Sequence, residues 1–244
     1  MKKKPIISQF GDHGILIRYP KKINQRIHKE LTQYTHYLVK GFADIIEGFT
    51  IAYQESAFYL NPEASVDETI ELFVQKFNEV DLSGEVQLNA QVFKIPVCYE
   101  APFALDIQEI AESKKIKVPK IIKVHTRPVY PVYFIGFAPG FPYLGGISKK
   151  ISFPRKASPR TKVKSGSVGI AGTQTGIYPN ESPGGWNIIG RSPLNFFDIE
   201  KENPSLLNAG DYIQFEAIDY ATFKNIEKQV KSGSYSIQKS GYND

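Results

Sequence analysis

Glycine, proline and β-forming residues alternate through the second half of the chain, and this pattern restricts the fold more than any other feature. Eleven of the nineteen glycines lie between Gly136 and Gly190. They separate short runs of strand-like composition, of which the clearest are residues 167–171, 186–189 and 211–216. Glycine tolerates the positive φ angles of tight turns. Several short strands at such intervals favour a β-barrel or a sandwich over a parallel α/β sheet.

The first part of the chain has a different pattern, which predicts an α+β domain. Residues 15–19, 49–53 and 57–60 have the apolar, β-branched and aromatic content of strands. One helical stripe is predicted from the four-, four-, three- and four-residue spacing of Ile23, Ile27, Leu31, Tyr34 and Leu38. Ser65 and Glu68 form a capping box before a second helix. With a final strand, this order is typical of a ferredoxin-like sandwich.

The sequence predicts two domains, residues 1–86 and 87–244. The second domain begins with a strand at residues 91–99, in which Pro96 argues for a sheet edge or a bulge. The Asp106-Ile-Gln-Glu109 segment is predicted to cap a helix that contains Ile107 and Ile110. Pro119 is predicted to open another short helix, which ends near His125.

Composition excludes several classes of protein. The hydrophobic content of 41% and charged content of 23% are those of a globular chain. Cys98 is the single cysteine, so an intrachain disulfide is impossible and a reducing cytoplasm is the expected location. No export signal and no membrane-spanning apolar run is predicted. Scattered histidines predict no metal site, and the pI near 9.0 comes without a nucleic-acid-binding motif.

Basic residues gather where the glycines do. From Gly136 to Arg191 there are eight Lys or Arg residues and one acid, Glu181, a net charge of +7 against +5 for the whole chain. This imbalance predicts a small anionic ligand, with Arg160 and Arg191 as the best candidates to bind a carboxylate or phosphate. The lysines are also compatible with an ordinary solvated face. The glycines are explained equally well by turn chemistry and by backbone N–H groups that face a ligand.

Few side chains in the sequence are candidates for catalysis. There is no P-loop and no G-x-S-x-G nucleophile motif, and Cys98 lies in an apolar strand where a core position is expected. His125 stands at an element boundary, where an imidazole could transfer protons near neutral pH or simply end a helix. Trp186 follows Pro-Gly-Gly and is predicted to be either a core residue or a pocket wall.

A long and irregular set of motifs resembles one known family. The motifs are Phe10-Gly-Asp12, Ile95-Pro-Val-Cys-Tyr99, His125, the run from Gly136 to Gly146, Ser158-Pro-Arg160, Gly166-Ser-Val168, the run from Ala171 to Pro179, Ser182-Pro-Gly-Gly-Trp186 and Gly190-Arg191. Together they resemble the family of the 5-oxoprolinase B subunit, also called the KipI or allophanate hydrolase subunit 1 family. The resemblance implies an α+β protein in which a ferredoxin-like N-terminal domain is followed by a cyclophilin-like β-barrel C-terminal domain.

The resemblance also implies an enzymatic role. A family member of this kind opens 5-oxo-L-proline to L-glutamate with ATP as co-substrate, together with the A and C subunits of 5-oxoprolinase. On that basis, Arg160 and Arg191 are expected to bind the substrate carboxylate and His125 to transfer a proton. The remaining expected site residues are Gln174 and the backbone N–H groups near Gly140 and Gly172, which would polarise the oxyanion, and Phe141 and Trp186.

Two other functions stay open at this point. Some members of the family resemble inhibitors that bind a sensor histidine kinase, in which case Phe137, Phe141, Tyr143 and Trp186 would anchor a helix of the kinase. The third possibility is a peptidyl-prolyl isomerase, because the barrel would resemble cyclophilin. It ranks last, since a shared fold does not transmit an active site.

Overall fold

Four short strands at the start of the chain form one antiparallel sheet in the computed structural model, in the order β1-β2-β4-β3. The strands are β1 (Ile6–Gln9), β2 (Gly14–Arg18), β3 (Ile46–Ala52) and β4 (Glu55–Leu60), and the helices that accompany them are α1 (Gln25–Gly41) and α2 (Val66–Glu79). The structure describes residues 4–20, 25–80 and 90–242. The first two of these ranges form one compact unit and the third forms another.

The predicted helical stripe is the buried face of α1. Leu31, Tyr34 and Leu38 on that face are fully buried, while Ile23 lies outside the described residues. The predicted cap of α2 is also present, because the Glu68 backbone N–H donates to Ser65 Oγ at 3.4 Å. Both helices therefore form where the apolar spacing and the capping residues indicate. The strand predicted after α2, and the predicted domain boundary between residues 86 and 87, lie outside the described residues.

Seven strands among residues 90–242 close into a barrel. Their order is β12-β9-β10-β7-β6-β13-β5, and a pairing of Arg191 on β12 with Cys98 on β5 closes the ring. The strands are β5 (Gln91–Cys98), β6 (Val129–Ile135), β7 (Pro142–Leu144), β9 (Ser167–Ala171), β10 (Gln174–Ile177), β12 (Asn187–Arg191) and β13 (Tyr212–Ile218). Of the barrel and the sandwich that the glycine and proline turns left open, the structure has the barrel, which fits the cyclophilin-like fold that the resemblance implies.

The remaining elements of this unit surround the barrel. A separate two-stranded sheet joins β8 (Arg160–Val163) to β11 (Ser182–Gly184), and β14 (Lys239–Gly241) pairs with the start of β5. The helices are α3 (Ile107–Lys114), α4 (Val118–Thr126) and α5 (Tyr220–Lys231). Fully buried side chains such as Ile95, Ile121 and Ile213 form one core from the strands and from α4. Among residues 90–242 and the earlier described ranges, no helix has the length and apolar character needed to cross a bilayer.

Two local predictions for this unit concern Pro96 and Asp106. Pro96 has a strand partner on one side only, as at a sheet edge, because β5 pairs in parallel with β13 from Val92 to Cys98. On the other side of β5, the pairing with β14 ends at Phe93 and the pairing with β12 is at Cys98, so Pro96 occupies the interval between them. Asp106 does precede α3, but its carboxylate makes no cap bond to the helix. That carboxylate instead holds the basic residues described below.

Candidate functional site

An aromatic cavity lies on one side of the barrel. Its volume is about 290 Å³, and its wall contains four rings, those of Phe141, Tyr143, Tyr178 and Trp186. Phe141 is the centre of this wall. Its ring lies edge-on to those of Tyr178 and Trp186, with centroid distances of 5.2 and 5.3 Å. Such edge-to-face contacts are the favoured geometry for aromatic pairs.

Glycines make room for these rings. A Cβ atom at Gly176 on β10 would lie 3.0 Å from the Trp186 ring and 2.8 Å from the Pro142 carbonyl oxygen. A Cβ at Gly184 on β11 would lie 2.3 Å from the Tyr178 hydroxyl oxygen. The density of glycine in this part of the sequence therefore serves close packing of aromatic side chains as well as turns. Phe141 and Trp186 are buried and also line the cavity, so both sequence-based interpretations of Trp186 apply.

Phe137 forms the exposed rim of the aromatic cavity. Its side chain is 65% exposed, although its ring contacts Phe141 at a centroid distance of 5.5 Å. Its backbone has a φ of +68°, in the left-handed region that a bulky residue rarely adopts. Strain of this kind costs on the order of 1–3 kcal/mol and is concentrated at functional sites. The 136–140 loop thus holds an apolar ring toward solvent at the entrance of the cavity.

Arg155 supplies a cation at this cavity. Its guanidinium lies 5.8 Å from the centroid of the Trp186 ring, and the side chain is exposed. Burial raises the pKa of Tyr143 and of Tyr178, with smaller opposing effects of Arg155 on both. Both phenols are therefore neutral near pH 7. The cavity combines an apolar floor with the exposed positive charge of Arg155, which suits a small ring that carries a carboxylate.

A second, polar cavity of about 410 Å³ shares Arg155 and Lys156 with the aromatic cavity. Its other polar lining residues are Glu109, Ser158 and Asn187. Lys156 donates to Glu109 at 2.8 Å and to Asp106 at 2.9 Å. Both carboxylates raise the pKa of Lys156, and the effect of Glu109 is the larger. This lysine therefore keeps its charge in the physiological range.

Asp106 organises the basic residues behind the polar cavity. It is 3% exposed, and its Oδ1 accepts from Arg160 Nη2 at 2.6 Å as well as from Lys156. Its Oδ2 accepts from the Ile188 backbone N–H at 2.6 Å. One buried carboxylate thus joins the start of α3 to β8 and β12 through charge-assisted hydrogen bonds. We refer to Asp106, Glu109, Lys156 and Arg160 as the Asp106 cluster.

The predicted surplus of positive charge is reduced in the folded chain. Lys156 forms an ion pair with Glu109, which lies 47 positions earlier in the sequence, and Arg160 forms one with Asp106, 54 positions earlier. Lys162 forms a further ion pair with Glu181 at 3.1 Å, exposed on both sides. Arg160 is therefore held through its Nη2 by a carboxylate of this chain, and its assignment to an anionic substrate stays a prediction. Arg155, which the sequence analysis did not select, is the arginine at the aromatic cavity.

His125 lies in the barrel core and not at an open site. Its side chain is fully buried, and its ring stacks on Phe215 at a centroid distance of 4.4 Å. Thr175 uses its hydroxyl proton to donate to the Gly169 carbonyl, so it accepts from the Nε2–H of His125 at 3.0 Å. Nδ1 is consequently unprotonated and accepts from the Tyr99 hydroxyl at 2.7 Å. Both ring nitrogens are engaged within the core.

Burial also lowers the pKa of His125 to about 3. A neutral imidazole without access to solvent or to either cavity does not exchange protons with a ligand. The expectation of an imidazole that titrates near neutral pH at this position is therefore wrong, because the local sequence did not show how deeply the end of α4 is packed. His125 therefore holds α4 to Tyr99, the residue that follows β5, and to Thr175 on β10.

The other predicted site residues do not converge on one ligand. Arg191 Nε donates to the Ser165 carbonyl at 2.7 Å, and its guanidinium packs on Phe103 and Phe223. Gly172 has a positive φ, and its N–H donates to the Phe153 carbonyl at 2.6 Å, so this N–H is not open to an oxyanion.

Gly140 and Gln174 complete the set of predicted residues. A Cβ atom at Gly140 would lie 2.7 Å from Phe197 Cβ, and the residue has a φ of +81°, so packing and backbone both require glycine there. Gln174 begins β10, opposite Ala171 across the β9–β10 hairpin. The residues that do come together are Phe141 and Trp186, with Arg155 beside them.

Comparison with known proteins places most of the chain in one family. Residues 5–207 match the sequence model of the carboxyltransferase domain, subdomain C and D. The B subunit of 5-oxoprolinase from Bacillus subtilis (strain 168) is 37% identical over 230 residues, which cover 89% of this chain and 96% of that protein. The corresponding B subunit from Haemophilus influenzae is 48% identical over 122 residues, which cover 50% of this chain and 57% of that protein.

A solved structure has the same architecture. The crystal structure of TTHA0988 superposes with a TM-score of 0.72 at 30% identity, and the match covers 84% of this chain. This chain spans only 40% of the length of TTHA0988. The likeness extends over both compact units of the chain, and the resemblance inferred from the motifs is confirmed.

Proposed function

The chain belongs to the family of the carboxyltransferase domain, subdomain C and D, and we propose that it is the B subunit of a cytoplasmic, ATP-dependent 5-oxoprolinase. In this proposal it acts with the A and C subunits to open 5-oxo-L-proline to L-glutamate. The observation that carries the proposal is the 37% identity to a protein named as a 5-oxoprolinase B subunit, over nearly the full length of both chains. The aromatic cavity with Arg155 supports it, because its size and charge suit this substrate.

The substrate is a small five-membered ring with a carboxylate. In the proposed complex, its ring carbons pack against Phe141 and Trp186 and its carboxylate pairs with Arg155, where the guanidinium already lies over the indole. Charge-assisted hydrogen bonds from arginine to carboxylate fix orientation as well as adding affinity. Tyr143, a neutral phenol in the same wall, can donate a hydrogen bond to the ligand. The role of this chain is thus to bind and orient the lactam.

The chemical step consists of hydrolysis of the lactam C–N bond, driven by ATP in the assembled enzyme. As the C–N bond breaks, a water molecule gives its hydroxyl to the carbonyl carbon and its proton to the ring nitrogen, which becomes the amine of glutamate. A second water molecule is used when ATP is hydrolysed to ADP and phosphate. We assign no residue of this chain to ATP. His125 is assigned a role in positioning the aromatic cavity. It donates a hydrogen bond to Thr175, and the next residue, Gly176, packs against the Trp186 ring.

We also propose that the first unit is ferredoxin-like. The order β2, α1, β3, β4, α2 and the sheet order β2-β4-β3 support this arrangement. In a ferredoxin-like sandwich a fourth strand pairs beside the first. In this chain β1 pairs antiparallel with β2 at that position, and the strand predicted after α2 belongs to the segment outside the described residues.

Reconstitution tests the proposed function. ATP-dependent release of glutamate from 5-oxo-L-proline should require this chain together with candidate A and C subunits, and each omission should abolish it. Replacing the folded chain by the same chain after irreversible heat unfolding gives the matched control. Equal activity without this chain, or an inert complete mixture of folded proteins, would contradict the proposal. Binding to a sensor histidine kinase through Phe137 would then be the next function to test.

A further inference from the structure

The two cavities meet at Arg155 and Lys156, and their walls differ in chemistry. The aromatic cavity of about 290 Å³ is walled by rings, whereas the polar cavity of about 410 Å³ is also lined by Glu109 and Ser158. Among the described residues that line either cavity, Glu109 alone carries a carboxylate. A ligand whose carboxylate pairs with Arg155 therefore has an anionic side chain in the wall of the adjoining cavity.

The carboxylate of Glu109 is accessible to a ligand. Its side chain is 56% exposed and extends from the first turn of α3. Its Oε2 accepts a hydrogen bond from Lys156 Nζ at 2.8 Å, and its Oε1 accepts from no described residue. The same lysine is held by the buried Asp106 at 2.9 Å. Lys156 thus orients Glu109, which keeps one oxygen for a cationic group of a ligand.

The polar cavity consequently suits a ligand that carries charges of both signs. Asp106 has both of its oxygens engaged within the chain, so it does not compete for the ligand. Arg155 is exposed and can pair with a carboxylate, while Glu109 in the same lining can pair with an ammonium group. A carboxylate and an ammonium group on one carbon atom are what an α-amino acid offers.

Opening of the lactam creates such a ligand. The new amine takes up the proton of the new carboxyl group, so near pH 7 the product carries an ammonium group and two carboxylates. The nitrogen of the lactam, by contrast, is uncharged. Substrate and product therefore share the carboxylate that pairs with Arg155, and they differ in the cation that Glu109 can bind.

We propose that the polar cavity is a product subsite, in which Glu109 binds the ammonium group of an open-chain α-amino acid, L-glutamate, while Arg155 holds its α-carboxylate. This inference rests on the proposed function and goes beyond it, because it assigns a residue that distinguishes product from substrate. It also implies a form of regulation. L-Glutamate competes with 5-oxo-L-proline for Arg155 and inhibits the enzyme as it accumulates.

Calorimetric titration of the purified full-length chain tests this inference. The ligands are L-glutamate, 5-oxo-L-proline and glutarate, which is the same dicarboxylate chain without the amino group. We expect the wild type to bind L-glutamate at least about tenfold more tightly than glutarate, because a charge-assisted hydrogen bond is lost with the ammonium group.

Glu109→Gln removes the charge and keeps the shape of the side chain. We expect this variant to bind L-glutamate at least about tenfold more weakly than the wild type and no better than glutarate. Its affinity for 5-oxo-L-proline should stay within about twofold, which also shows that the variant is folded. Glu112→Gln is the matched control, because Glu112 lies on the same helix, is exposed and lines neither cavity. It should bind all three ligands as the wild type does.

The outcomes separate this inference from the proposed function. Equal affinity of the wild type for L-glutamate and glutarate, or no binding of L-glutamate, would overturn the product subsite and leave the reconstitution result untouched. An unchanged affinity of Glu109→Gln for L-glutamate would overturn the role of Glu109. An equal loss of affinity for L-glutamate and 5-oxo-L-proline would do so too, because the effect would then not depend on the ammonium group. Failure of reconstitution would remove the proposed function, whereas a measured preference for L-glutamate over glutarate would remain.

Discussion

Replacing Asp106 by Ala is expected to lower the free energy of unfolding by about 3 kcal/mol. The variant leaves Lys156 and Arg160 without the carboxylate that both contact, and it leaves the Ile188 backbone N–H without its acceptor. Removing one member of a buried ion pair is costly because the remaining charge stays partly desolvated. Urea denaturation of the full-length chain at pH 7 measures the change.

Glu109→Ala is the matched control for this prediction. Glu109 contacts the same lysine, but its side chain is 56% exposed, so its ion pair is expected to contribute less than about 1 kcal/mol. If both variants unfold at the same urea concentration as the wild type, Asp106 does not organise the basic residues as described. If Glu109→Ala costs as much as Asp106→Ala, burial is not the reason for the effect.

Acid is expected to destabilise the second unit through His125. In the unfolded chain this imidazole binds a proton below a pKa of about 6.5, whereas burial lowers the pKa in the folded chain to about 3. As the pH falls between these values, the unfolded state gains the proton first. The free energy of unfolding should therefore decrease by about 1.4 kcal/mol per pH unit, on the order of 5 kcal/mol in total. Stability is fully retained above pH 6.5 and is lost toward pH 3.

The slope, rather than the absolute stability, identifies this histidine. The His125→Gln variant loses ring stacking and should be less stable at pH 7, but its free energy of unfolding should fall less steeply below pH 6.5 than that of the wild type. His13→Gln, at an exposed histidine, should keep the wild-type slope. Identical slopes for wild type and His125→Gln between pH 6.5 and 4 would show that the imidazole is not neutral in the fold.

The architecture could be predicted from the sequence because its signals are local. Glycine and proline turns act on neighbouring residues, so residues 167–171 and 211–216 were recognisable as strands without knowledge of their partners. The stripe of Leu31, Tyr34 and Leu38 predicted the buried face of α1 for the same reason. Aromatic and glycine motifs likewise pointed to Phe141 and Trp186, which do share a cavity.

The electrostatics of the site could not be predicted in this way. Counting charges from Gly136 to Arg191 left out Asp106 and Glu109, because carboxylates from an earlier helix reach the basic residues only in the folded chain. Asp106 has the sequence position of a helix cap, but its carboxylate binds a backbone N–H that lies 82 residues away. The pairing of β12 with its neighbours, which no local pattern encodes, decides this contact.

The predicted arginines illustrate the same limit. Arg191 packs on Phe103 and Phe223, and Arg160 binds Asp106, while Arg155 lies over Trp186. The motif Phe153-Pro-Arg155 was visible in the sequence, but nothing local distinguished its arginine from the other two.

The central claim is that Arg155 and the aromatic cavity bind the substrate, and kinetics of the reconstituted enzyme with Arg155→Ala test it most directly. Loss of a charge-assisted bond to the carboxylate should lower kcat/KM for 5-oxo-L-proline at least about tenfold, mainly through KM, because the carboxylate does not react. Lys149→Ala, which removes an exposed charge outside both cavities, should stay within about twofold of the wild type. An unchanged kcat/KM for folded Arg155→Ala would contradict the account.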